Sequence, residues 1–230
     1  MPTFSGIVVA TGVEASGRRT LLDIVDELAR PVDAADTTVR ALASDAFREA
    51  VRTMNRKGLW PWEVMDEDVA ITANSAFSSV TSAIKKPLTM HFLSAAGGTP
   101  DQRIYYEPYN VFIERSNLDI GGEPSIYTIP NLFETGQVRW FPVPNSADNA
   151  RFTFYRVTPI PKAEQEVVEV PEYALGVYTA FAWFEFLKRL PGEQRPFPIE
   201  IAAASAMAAF RELSAHVAVQ SDRSPGFQRQ

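Results

Sequence analysis

Helical periodicity occupies both ends of this chain and strand-like patterning its middle, and that order most limits the folds open to it. Arg18 to Ala29 carries Leu21, Val25 and Leu28 at helical spacing, and Pro31 stops the run. A longer helix is predicted from about Ala34 to Lys57, with Asp33 as N-cap and Asp36 near the positive helix end. Its apolar stripe is Val39, Leu42, Ala43, Ala46, Phe47, Ala50, Val51 and Met54. Arg56 and Lys57 suit its negative end, and Gly58 can take a left-handed cap.

From Leu59 to Val170, prolines, aromatics, β-branched residues and turn clusters take over. Val69 and Ile71 alternate with polar or small neighbours, as do Leu88, Met90 and Phe92. Gly97-Gly98, Gly121-Gly122 and Asn145 to Asn149 read as turns or loops, and Arg151 to Val157 reads as a strand. Glu107 to Leu118 is ambiguous, but Pro108 followed by Tyr109, Phe112 and Ile113 favours a short helix.

Helicity returns at Pro171, a good first helical residue. Tyr173, Val177, Ala180, Phe181, Phe184 and Leu187 give this helix a wide apolar face, and Pro191-Gly192 closes it. Pro198 opens the last helix, faced by Ile199, Ala203, Ala206, Met207, Phe210, Leu213 and Val217. Its alanines permit close approach of another helix. Ser221 to Gln230 is polar and is expected to be disordered by itself.

Helices with one face to bury should pack on each other, leaving the middle as a separate lobe. The expected fold class is therefore α+β: a helical bundle formed by N- and C-terminal helices with a central β-rich insert lobe. The expected divisions are an N-terminal arm at 1–17, helical segments at 18–58 and 171–219, the insert at 59–170, and a flexible tail at 220–230.

Composition narrows the function classes. At 230 residues, 46% hydrophobic and 22% charged, the chain can bury a sizeable core. Its lack of cysteine removes disulfides, thiolate metal sites and thiol nucleophiles, and fits assembly in a reducing cytoplasm. The run Ile7 to Ala10 has no basic segment before it and does not read as a signal peptide. No stretch approaches 18 apolar residues, so no membrane span is expected. A net charge of −6 disfavours general nucleic-acid binding, which rests on cations neutralising phosphates.

The motifs that invite chemistry fall short of it. Gly12 to Thr20 resembles a phosphate-binding loop, but Arg18 stands where the lysine belongs and Arg19 where the hydroxyl belongs. His91 and His216 lie in no metal-ligand spacing. Asp66-Glu67-Asp68 leads into Val69-Ala70-Ile71, which lacks calcium-loop ligands, and reads as a solvated turn. Trp60-Pro61-Trp62 and Tyr105-Tyr106 could stack on sugars or bases, but core or interface positions are favoured. A hydrolase with dispersed carboxylates ranks lowest. No catalytic residue, metal ligand or cofactor site is assigned, and the chain is read as a non-enzyme.

One ordered pattern carries a resemblance. Asn55 to Trp62 (NRKGLWPW) ends the long helix, and Gly122 to Ile129 (GEPSIYTI) follows in the middle. Val138 to Pro144 (VRWFPVP) then leads into Phe152 to Val157 (FTFYRV), and Val170-Pro-Glu-Tyr-Ala-Leu opens a helix. Over roughly residues 20 to 217 this resembles the head-to-tail adaptor proteins of tailed bacteriophages, of the tail tubular A type. The resemblance implies a virion protein, assembled in the host cytoplasm, that forms a ring, usually a dodecamer, at the head-tail junction. The portal protein and the next tail component, a nozzle or tail tube, are the implied partners. DNA is expected to pass the channel without specific binding, helped by the acidic charge. The tail is a partner-contact candidate, with Phe227 as anchor and Arg223 and Arg229 as charge contacts; an unbound solvated tail is the alternative. The other function class is a carbohydrate- or receptor-binding tail accessory protein that uses the aromatic β lobe.

Overall fold

The structure, a computed structural model, describes residues 19–93, 102–115, 120–134 and 136–223, with side chains described as far as Ala218. The arm at 1–17, the Gly97-Gly98 turn and the end of the tail lie outside the described residues. The helices are α1 (Leu21–Ala29), α2 (Thr37–Lys57), α3 (Tyr109–Arg115), α4 (Glu172–Arg189) and α5 (Ile199–Arg223). The strands are β1 (Val64–Ile71), β2 (Phe77–Ser79), β3 (Ile84–Leu93), β4 (Tyr105–Tyr106), β5 (Gly121–Gly122), β6 (Ile126–Thr128), β7 (Gln137–Phe141), β8 (Val143–Pro144) and β9 (Asp148–Arg156). The protein is thus a mixed helix and sheet structure, and it divides into two units. One unit is the chain up to Trp62 together with the chain from Thr158 onward; the other is Glu63–Val157.

In the first unit, α1, α2, α4 and α5 share one apolar core. Thr20 starts α1 through a reciprocal capping box with Asp23, which satisfies amide groups that the first turn leaves open. α2 starts three residues later than its apolar pattern suggests. Asp33 is not its cap: its carboxylate accepts the Ala35 N–H within a turn, while Asp36 accepts from Thr38 and Val39. The expected stripe is buried from Val39 to Met54, with Leu42 partly so. Gly58 is fully extended at φ −171°, not left-handed. The reason for glycine is space, because a Cβ there would meet the Trp60 indole at 3.3 Å.

α4 is buried on more than one side, as a helix packed against both α2 and α5 must be. Its Ala174, Tyr178, Ala182 and Phe186 are all fully buried, while Tyr173, expected inside, is exposed. Pro171 is the cap residue, one position before the helix, and its carbonyl accepts from Ala174 and Leu175. α5 buries Ala202, Ala206 and Leu213 and leaves Met207 exposed, also against expectation. Its backbone stays helical through Arg223, so the expected tail begins later than residue 220.

The insert is narrower than its composition suggests. Leu59–Trp62 and Thr158–Val170 belong to the helical unit. Trp60 donates its indole N–H to the Met54 carbonyl and joins the helical core. The Asn55 carboxamide holds both the N–H and the C=O of Thr158, each at 3.0 Å. Arg48 then donates to the carbonyls of Pro161 and Lys162. Segment 158–170 is therefore irregular chain laid along helices, which proline-rich composition alone cannot distinguish from a strand region.

In the second unit, β1, β9 and β3 form an antiparallel sheet with β9 central. β1 and β9 pair without interruption from Val64↔Tyr155 to Ile71↔Asp148. β3 tolerates Pro87 because its register shifts on either side of that residue. A second sheet has the order β2-β7-β6-β4, and β5 and β8 form a short parallel pair. The two main sheets are laced together: Ile104 donates to the Met90 carbonyl, and the Ser78 hydroxyl to Ala70. Between them lie Val69, Met90, Tyr127, Trp140, Phe152 and Phe154, all buried.

Candidate functional site

Chemistry-bearing residues are dispersed rather than gathered. Among the described residues, no three His, Asp or Glu side chains come together as a metal set. His91 is on β3 and His216 is on α5, against the Tyr173 ring. In the loop-like stretch Gly12 to Thr20, residues up to Arg18 lie outside the described part. Thr20 is committed to capping α1, and Arg19 pairs with Glu27.

Asp66-Glu67-Asp68 is not a turn. It lies within β1, where strand geometry sends alternate side chains to opposite faces. Asp68 accepts from Arg151 and Asp66 from Thr153, both on β9, while Glu67 accepts from the Thr81 backbone and hydroxyl. Asp66 and Asp68 make cross-strand contacts, and Glu67 holds the connection between β2 and β3. Trp60 and Trp62 stack in parallel at 5.2 Å and 4°, with Trp60 buried in the helical core, as the core reading expects.

The exposed aromatics concentrate on the insert, around the sheet β2-β7-β6-β4 and α3. Register places Phe77 beside Arg139 and Arg139 beside Thr128, so their side chains share a face. The Arg139 guanidinium lies 5.5 Å from both the Phe77 and Phe112 ring centres. Phe112 anchors α3 by meeting Phe141 edge-on. Tyr105, 59% exposed, carries Arg103 over its ring at 5.6 Å. Tyr109, Val111 and Ile113 of α3 are also exposed. Tyr106, by contrast, turns in against Tyr127, whose hydroxyl is held protonated to high pH by burial. Exposed Tyr, Phe and Arg residues are the side chains that dominate protein contacts, and they also stack on sugars.

The sequence reading missed this guanidinium sandwich and one buried ion pair. Lys85 donates to Glu63 at 2.7 Å, and both side chains are almost wholly buried. Burial lowers the Lys85 pKa, while its bond to Glu63 opposes the shift. The Lys85-Lys86-Pro87 string carries no hint of which lysine faces inward; only the strand register decides it.

The partner-contact residues of the tail are not brought together. Arg223 ends the α5 backbone, with its side chain undescribed, and Phe227 and Arg229 lie outside the described residues. No described helix is long and apolar enough to cross a membrane. The chain matches no protein-family model, and no curated protein matches it.

Proposed function

We propose that this protein is a structural virion component, a head-to-tail adaptor that forms a ring between the portal and the tail of a bacteriophage. The observation that carries the reading is the order of parts. Helices from both ends of the chain share one core, and a β unit with its own core is inserted between Trp62 and Thr158. That agrees with a helical bundle bearing an insert lobe, the arrangement the resemblance implies. Closing a ring requires each copy to offer two different surfaces to its neighbours. The partners are the portal protein, the next tail component and further copies of the chain, twelve to the ring. DNA passes through the channel without specific binding, consistent with a net charge of −6. Catalysis has no part in this role.

Electron microscopy of the protein mixed with a portal ring tests the proposal. A ring stacked under the portal is expected; a chain that stays monomeric with every portal tried refutes it. A second reading, a tail accessory protein that binds carbohydrate, is favoured by the exposed Phe77, Tyr105 and Tyr109. A glycan array separates the two, since an adaptor gives no sugar signal.

A further inference from the structure

Register sets out Phe77, Arg139 and Thr128 as one row on the outward face of the sheet β2-β7-β6-β4, one residue from each of three neighbouring strands. Arg139 is half-buried in that row, with the Phe77 and Phe112 ring centres each 5.5 Å from its guanidinium. Arg40, Arg48 and Arg189 are also half-buried, and each meets a carboxylate of its own chain. Arg139 meets none: among the described residues its N–H donors have no acceptor. The Thr128 hydroxyl beside it is wholly buried and also lacks a partner. We propose that Arg139 anchors a docking site for a partner protein, and that the occupant is a segment with one carboxylate set among apolar residues.

Three observations select that chemistry. First, a guanidinium is a fork that matches a carboxylate through two parallel hydrogen bonds. The rings that fix Arg139 in place lower the ordering cost of using it. Second, the surroundings are apolar and open. Phe77 is 43% exposed next to Arg139, and exposed Tyr109 lies one turn before Phe112 on the same side of α3. Exposed Tyr105 is on the same sheet face two strands away, roughly 12 Å by strand spacing. Aromatic side chains around an arginine are what the centres of protein contacts are built from. Third, charge excludes the other common ligand of arginine. From Glu63 to Val157, Asp and Glu outnumber Lys and Arg by eleven to seven. A polyanion such as nucleic acid is repelled there, whereas a single carboxylate is not.

This inference does not rest on the adaptor reading. It names the kind of partner that the insert takes, whichever assembly the helical unit joins. It also gives the exposed aromatics a protein partner in place of a sugar.

The test pans a random peptide display library against the full chain. Peptides with Asp or Glu between apolar residues are expected to be enriched, and the strongest is synthesised with a fluorescent label. Replacing its acidic residue by the matching amide should weaken binding to the native chain at least about tenfold, as loss of a charge-assisted hydrogen bond does. That comparison leaves the protein unaltered, so folding does not enter it. Arg139→Gln should weaken the acidic peptide by a similar factor and leave its amide version unchanged, a coupling that misfolding does not produce. Arg139→Lys keeps the charge but not the fork and should recover only part of the loss. Equal binding of the acidic and amide peptides overturns the proposal, as does a panning in which no acidic sequence is enriched. Self-association of the chain that Arg139→Gln abolishes assigns the site to a second copy and overturns it too. An oligoglucuronate that binds through Arg139 where no peptide does also overturns it, and returns this face to the carbohydrate reading.

Discussion

Removing Lys85 tests how the insert holds its first turn. The perturbation is Lys85→Met, which keeps the volume of the stem and deletes the ammonium. At 2.7 Å and an effective dielectric near 20, the Coulomb attraction to Glu63 is about 6 kcal/mol. Taking both charges out of water costs several kcal/mol per ion, so the intact pair contributes little net stability. Deleting one partner is different, because the burial cost of the other remains. With Glu63 at 0% side-chain exposure, the expected loss is about 3–5 kcal/mol, a large part of a domain's stability. Hydrogen exchange of the β9 amides reports it, since β9 is paired on both edges and opens only with the insert. Lys85→Met together with Glu63→Gln removes both charges and should recover at least half of the loss. A single-variant cost under about 1 kcal/mol, or a double variant less stable than Lys85→Met, would show that the pair is not desolvated as described.

Other perturbations have equally definite outcomes. Asn55→Ala strips two hydrogen bonds from the buried Thr158 backbone and should lower helical-unit stability by about 2–4 kcal/mol, read from urea midpoints. Gly136→Ala places a Cβ well inside contact distance of the Val80 and Ser82 carbonyl oxygens and should destabilise the insert by about 1–3 kcal/mol in thermal melts. Bonds from the Thr20 backbone and hydroxyl hold the Asp23 carboxyl below its ordinary 3.8, so its contribution to stability is present above that pH and lost as pH falls through the lowered pKa. The cost of Asp23→Ala, at most about 1 kcal/mol near neutrality for this exposed cap, should therefore shrink below pH 3.8 in urea titrations.

The helical part of the fold was legible because its residues repeat at 3.6. Val39 to Met54 declare one face; on α5 the spacing found Ala206 and Leu213 but chose Ala203 and Met207 where the buried residue is Ala202, because alanines surround it on every side. Helix starts were read less well. Asp33 and Asp36 are chemically alike, and only the turn closed by Ala29 assigns the cap to the second. The acidic run Asp66 to Asp68 misled because charge suggests solvent and turns, whereas cross-strand partners on β9 let it sit in a strand. The guanidinium sandwich at Arg139 was invisible, since Phe77, Phe112 and Arg139 are far apart in sequence and meet only through the register of β2 with β7 and the placement of α3. Contacts at the candidate surface depend on such pairings, which composition and spacing do not encode.

The pairing of Val64 with Tyr155 carries a consequence for how such a chain can change over evolutionary time. The insert's two ends leave its sheet as neighbouring strands about 5 Å apart. On the helical side, the Trp60 indole and the Thr158 backbone are both fastened to the last turn of α2, through Met54 and Asn55. The lobe thus begins and ends on paired neighbouring strands. Because its ends lie side by side and each unit has its own core, a shorter or exchanged insert can join the same two chain ends without a change in the helical core.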